Sequence, residues 1–240
     1  TIIDGNNVIK VLYTKDSYLL TVQYKYGSAS GAEAAPTTTA SIVYKGDYSV
    51  ASPVIDGYTT TLPVVSGTMP AENVTITVVY TANNHEVTVI HVYEGEPAVT
   101  STSSGIFGTT VSASAIDRGG FTFDGNPVVT GMTPDATGRV VSGTMPDGNV
   151  TITFNYTRNT YPVTVIYNEV TDNGTFVKEI SSSSAIQAYG SDYDVTAVNP
   201  NTAEYTFKNT EGVSTGKVTG DVTVTHNYTR NDYTVTVIYN

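Results

Sequence analysis

This sequence of 240 residues has no cysteine, no tryptophan, few basic residues and no apolar run long enough to cross a membrane. Without cysteine there is neither a disulfide framework nor a thiolate metal site to staple small units. Eleven Lys and Arg against 22 Asp and Glu leave a net charge of −11. That balance speaks against nucleic acid, whose phosphates demand clustered cations, and against an anionic membrane surface. No signal peptide or lipidation motif is present. Helical periodicity is never sustained for ten residues, so little or no helix is expected, at most one turn within 181–187.

What is present is Thr, Ser, Val and Tyr, with 18 tyrosines, the residues that fit a pleated, half-buried surface. Hydrophobic residues make up 39% and recur in regular alternation, which is enough apolar surface to order the chain.

The sequence also repeats itself, and the repeat sets the domain count. Residues 142–161 run from Ser-Gly-Thr-Met-Pro to Tyr156-Thr157-Arg158-Asn159, and 66–85 carry nearly the same text, ending Tyr80-Thr81-Ala82-Asn83. A looser copy ends at Tyr228-Thr229-Arg230-Asn231, and a fragment lies around Tyr13. Five residues after each of these tyrosines a new alternating run begins, at Tyr18, His85, Tyr161 and Tyr233, giving intervals of 67, 76 and 72 residues. The expected division is the end of a preceding repeat and a linker (1–17), three complete modules (18–84, 85–160 and 161–232) and the first strand of a following repeat (233–240). The chain is expected to be a piece of a longer array. A module of about 70 residues hides only roughly 60% of its unfolded surface, so packing between neighbours is expected to help.

Within each module the alternation predicts strands. Tyr18, Leu20, Val22 and Tyr24 form the opening stripe of the first module, and Val74, Ile76, Val78 and Tyr80 the closing one. Val87 and Val89 open the second module, and Val150, Ile152, Phe154 and Tyr156 close it. Tyr161, Val163, Val165 and Tyr167 open the third, with Val222, Val224, His226 and Tyr228 closing it. Val8, Ile9, Val11 and Leu12 are expected to form a final strand before Tyr13. Exposed loops are expected at 27–36 and across the additional residues of the second module, 124–142. Asp172-Asn173-Gly174 is a hairpin signal.

The order of features within about 70 residues is an opening Tyr-x-Val-x-Val-x-Tyr strand, a glycine-tyrosine turn, Gly57-Tyr58 or Gly120-Phe121, and a closing Val-Thr-Val-x-x-Tyr-Thr strand. This resembles the MucBP (mucin-binding protein) repeats of Gram-positive bacterial cell-surface adhesins. The departures are Gly46 two residues before Tyr48, Val111 in the place of the turn tyrosine, and Glu204-Tyr205 for Gly-Tyr. The resemblance implies a mainly β fold of β-grasp-like, ubiquitin-resembling modules, an extracellular protein anchored to the cell wall, and attachment to host mucin or glycan.

No catalytic constellation stands out. His85, His91 and His226 each replace an aromatic or apolar strand residue of the other modules and read as half-buried packing residues. His85 and His91 are six apart on one strand face, about 20 Å, too far for zinc. No carboxylate pair recurs between modules, and Asp117, Asp124, Asp135, Asp147, Asp192 and Asp194 lack the spacing of a calcium loop. Ser181 to Ser184 sit outside a nucleophile elbow. No inner-face lysine recurs for an isopeptide cross-link, and the five Asn-x-Thr sequons read as strand chemistry.

The chain is therefore read as a non-enzymatic adhesin fragment without cofactor or metal, a monomer in solution, with linkers of about four residues and a length of roughly 90–120 Å. The alternative is a stalk that projects a separate binding domain. Tyr13, Tyr80, Tyr156 and Tyr228 are the expected module-junction residues, their rings at the end of the core and their hydroxyls reaching solvent or the linker. The ligand-binding residues stay unassigned; exposed tyrosines such as Tyr26 and Tyr93 are candidates to stack on sugars.

Overall fold

The computed structural model describes residues 9–198 and 201–239, and every regular element in it is a strand. In the first copy of the repeat these are β1 (Ser17–Tyr26), β2 (Glu33–Val43), β3 (Asp47–Ala51), β4 (Tyr58–Thr60), β5 (Val64–Thr68) and β6 (Val74–Ala82). The second has β7 (Asn84–Tyr93), β8 (Val99–Ile106), β9 (Thr110–Ser114), β10 (Phe121–Phe123), β11 (Val128–Val129), β12 (Thr133–Pro134), β13 (Val140–Thr144) and β14 (Val150–Arg158). The third has β15 (Thr160–Val170), β16 (Phe176–Ala188), β17 (Asp192–Asp194), β18 (Tyr205–Glu211), β19 (Thr215–Lys217) and β20 (Val222–Arg230).

The three copies share one topology. The larger sheets run β2-β1-β6-β4, β8-β7-β14-β10 and β16-β15-β20-β18. Outer pairs are antiparallel, while the two central strands, the first and last of the unit, pair in parallel. This is the β-grasp-like strand order, with a small second sheet, β3-β5, β9-β13 or β17-β19, in place of any helix. The core lies between the two sheets. Leu20, Val22, Tyr24, Val78 and Tyr80 from the large sheet meet Val65 from the small one and Met69 just after it. Phe154, Ile152 and Tyr156 meet Val141 and Met145 in the second unit. Val218 of the third unit, also fully buried, follows β19 as Met69 follows β5.

The strand stripes follow the alternation, but several segments differ from expectation. Residues 9–16 and 233–239 contain no strand although both alternate, because no strand among the described residues lies beside them, the single Tyr44 N–H to Asp16 O bond excepted. Val8 lies outside the described residues. The expected loop at 27–36 is shorter, since β2 begins at Glu33. Pro36 is accommodated because β2 is an edge strand and because Pro36 and Thr37 bulge opposite Gln23. Residues 181–187 are strand, not a helical turn, held by pairing with β15. The small-sheet strands β5 and β13 fall in the Ser-Gly-Thr-Met-Pro text, which periodicity alone does not mark as strand.

The additional residues of the second unit are not a free loop either: β11 pairs with β14 and β12 with β13. Their role follows from a cross-strand pair. Tyr48 stands directly opposite Gly67, and Tyr193 opposite Gly216, so each ring covers a glycine that offers no side chain. A Cβ on Gly67 would fall 2.6 Å from the Tyr48 hydroxyl. In the second unit Val111 is the residue opposite Gly143, and it is too short to cover it. Met132, brought in by the additional residues, lies over Gly143 instead, 3.1 Å from where a Cβ would be.

The accessible surface is 15347 Å², well above the approximately 10,000 Å² of one compact globule of this length. Part of the excess belongs to the extended 9–16 and 233–239 segments, and the rest reflects separate cores in a row. Met132→Ala is expected to destabilise the chain by about 1–2 kcal/mol, less than a fully buried methionine. Adding Val111→Tyr is expected to recover part of that loss. Urea unfolding unchanged by Met132→Ala would contradict the covering role.

Candidate functional site at the unit junctions

Among the described residues every buried side-chain nitrogen or oxygen has a hydrogen-bond partner, and no group of three or more His, Asp or Glu is arranged to hold a metal. The features that recur from unit to unit are at the junctions. Strand β6 ends at Ala82 and β7 begins at Asn84; β14 ends at Arg158 and β15 begins at Thr160. The linkers are thus single residues, Asn83 and Asn159, rather than about four.

Each of these asparagines holds both neighbours. The Asn83 N–H donates to Gly57 O at 2.8 Å, and the Thr59 hydroxyl donates to Asn83 Oδ1 at 2.5 Å, both in the preceding unit. Its carbonyl accepts from the Phe107 N–H of the following unit at 2.8 Å. Asn159 repeats this with Gly120 O (2.9 Å), Thr122 (2.7 Å) and the Tyr189 N–H (2.8 Å).

Over this backbone tie an aromatic ring of the following unit lies on a glycine of the preceding one. Phe107 covers Gly57 and meets Tyr58 edge-on at 5.6 Å; Tyr189 covers Gly120 and meets Phe121 edge-on at 6.3 Å. Gly57 and Gly120 have φ of 79° and 81°, a region that favours glycine. A Cβ on either would fall 2.1–2.5 Å from three atoms of the ring. The sequence marks these residues only as recurrences, Gly-aromatic-Thr and aromatic-Gly at matched places. It does not say that they touch.

The polar groups around this shared frame differ between junctions. At the first, Asp147 accepts from the Gly57 N–H (3.1 Å) and from Asn83 Nδ2 (2.9 Å), and lies 2.8 Å from His85 Nε2. Those bonds, the Asn83 amide first and then His85, hold the Asp147 carboxyl below its ordinary 3.8. At the second, Arg158 reaches the Tyr189 and Glu94 carbonyls at 3.3 and 3.1 Å and lies over Phe121. Arg118, paired with Glu96, covers Phe121 and Tyr93.

The four expected tyrosines are not all placed alike. Tyr13 is exposed and outside any strand. Tyr80, Tyr156 and Tyr228 are buried near the ends of their closing strands. Their hydroxyls do not reach solvent or the linker. Tyr80 donates to Pro53 O at 2.5 Å and Tyr228 to Val198 O at 2.9 Å, while Tyr156 accepts from the Ile116 N–H at 2.8 Å. Burial raises all three phenols above their ordinary 10.0, so they stay neutral.

His91 is buried against Phe154, 3.0 Å from the Tyr156 hydroxyl, with its pKa lowered by desolvation. His226 is fully buried between Thr210 and the Val195 carbonyl. His85 does more than pack, since it belongs to the Asp147 tie. Tyr93 is buried in a stack with Tyr156 and is withdrawn as a sugar platform. Tyr26 remains half-exposed against Tyr58. Beside Tyr58 lies a groove of about 210 Å³, floored by Tyr80 and walled by Pro53, Val54 and Pro63.

A carboxyl with a depressed pKa contributes stability fully above its ordinary value and loses it as pH falls through the depressed one. The Gly57 amide resonance is therefore expected to titrate with a midpoint below 3.8 and to lose that transition in Asp147→Asn. A midpoint at or above 3.8 would contradict the tie.

The MucBP domain family matches residues 20–81 and 162–240, leaving the middle unit, with its additional residues and Val111, unmatched. No curated protein matches the chain. Among solved structures, the Bacillus anthracis TIE protein is similar at 9% identity and a TM-score of 0.51, over 90% of this chain and 51% of that one. A streptococcal cell-surface protein fragment, Streptococcal High Identity Repeats in Tandem (SHIRT) domains 3-4, aligns at 12% identity and a TM-score of 0.26, over 62% of this chain and 99% of that one. The chain thus spans about half the length of the TIE chain, and at 9% identity that likeness concerns the fold alone. With the family matched over more than half of its residues and the same strand order in all three copies, the chain belongs to the MucBP domain family.

Proposed function

We propose that this chain is the repeat region of an extracellular, cell-wall-anchored adhesin of a Gram-positive bacterium, attaching to host mucin or other glycoproteins. The observation that carries this reading is the recurrence of one MucBP-type unit, with its like junctions, along the chain. Copies held in line bring related surfaces to bear together, and weak contacts then add up through effective concentration rather than through one deep pocket. The half-exposed Tyr26–Tyr58 pair and its adjoining groove form the aromatic surface best suited to a sugar face. In this reading Tyr80, Tyr156 and Tyr228 anchor the ends of their units, whereas the exposed Tyr13 does not.

A second reading has its own observation. One-residue linkers tied on both sides are what a spacer needs, so the repeats would serve as a stalk for another binding domain. Surface plasmon resonance of the full chain over immobilised mucin, before and after glycan removal, separates the two. Binding that falls on glycan removal is the expected result. No binding to either surface would leave the stalk.

A further inference from the structure

Gly57 and Gly120 occupy one place in the repeat, immediately before β4 and β10, and each seats a ring of the following unit. In the third unit that place, immediately before β18, is taken by Glu204. The part of the frame that lies within the unit is kept there. The Asn231 N–H donates to Glu204 O at 2.8 Å, and the Thr206 hydroxyl donates to Asn231 Oδ1 at 2.6 Å. What Glu204 lacks is the bare backbone. Lys45 is the one non-glycine residue with positive φ among those described, so Glu204 does not share the Gly57 and Gly120 conformation either.

We propose that the residue at this place decides whether a junction is locked or hinged: glycine seats the next unit's ring and locks it, and Glu204 marks a hinge beyond the third unit. Two comparisons within the molecule carry this. First, the two observed junctions share only the glycine, the ring and the asparagine tie. Asp147 and His85 serve one and Arg158 with Glu96 the other. The charged groups are therefore interchangeable and the ring seat is not. Second, a Cβ at the seat falls 2.1–2.5 Å from three atoms of the ring, well inside van der Waals contact, so the ring must move off the glycine to admit it. Once it has moved off, the asparagine tie and the few exposed polar contacts particular to each junction connect the units, and neighbours joined through so little surface move relative to one another by default.

The chain has no cysteine, so two introduced ones can be labelled specifically. Thr102→Cys on β8 and Ser183→Cys on β16 are exposed sites in the second and third units. Nitroxides there report the inter-unit distance distribution by pulsed electron resonance on the full chain. With the parent sequence one narrow distance is expected. Gly120→Glu places at the second junction the residue found at 204, and Tyr189→Ala removes the ring while leaving the glycine and both cores intact. Both are expected to lose the narrow distance in favour of a broad distribution. If Tyr189→Ala keeps the narrow distance the proposal is overturned, whatever Gly120→Glu does. A folded Gly120→Glu chain that keeps it overturns the proposal as well. Should Gly120→Glu fail to fold, Tyr189→Ala alone decides.

Discussion

The parallel pairing of the first and last strands of each unit is the constraint on which the architecture depends. Two neighbouring strands that run the same way begin at one pole of the unit and end at the other, so the chain enters and leaves at opposite ends. β1 with β6, β7 with β14 and β15 with β20 all obey this. Had the central pair been antiparallel, entry and exit would share a pole and successive units would fold back beside one another. With the parallel pair, a tandem array extends in one direction without any long connection. The unit itself is held by that pair as well, since the residues of both central strands form the floor on which the small sheet packs.

From this follows the burden placed on the junction. The closing strand of one unit passes into the opening strand of the next through Asn83 or Asn159 alone. The asparagine suits this because its side chain accepts from a threonine of the unit behind while its backbone serves both sides. The ring laid on glycine then supplies apolar contact that a one-residue linker cannot. Charged groups are added differently at each junction, which suits exposed ion pairs that contribute little individually.

The repeat period, the unit count and the central stripes were legible because period-two alternation with one buried face is a strong signal. Val150, Ile152, Phe154 and Tyr156 are buried as their spacing requires. The small sheets were not legible: β17 and β19 are three residues each, and β5 and β13 include glycines whose cover comes from across the sheet. Nor could alternation alone say that 9–16 and 233–239 form no strand, since a strand exists only with a partner. The junction escaped for a different reason. Gly57 and Gly120 were visible as recurrences, but their function lies in contacts with residues 50 and 69 positions later in sequence. Met132 was hidden inside an apparent loop because its purpose is set by Val111, the short residue it compensates.

The central claim is that the three units stand in line because their central strands are parallel. Small-angle X-ray scattering of the full chain in solution tests it most directly. The account predicts a radius of gyration of about 30 Å, that of three small units end to end, whereas one compact globule of this length would give about 18 Å. A value near the compact one would contradict the account.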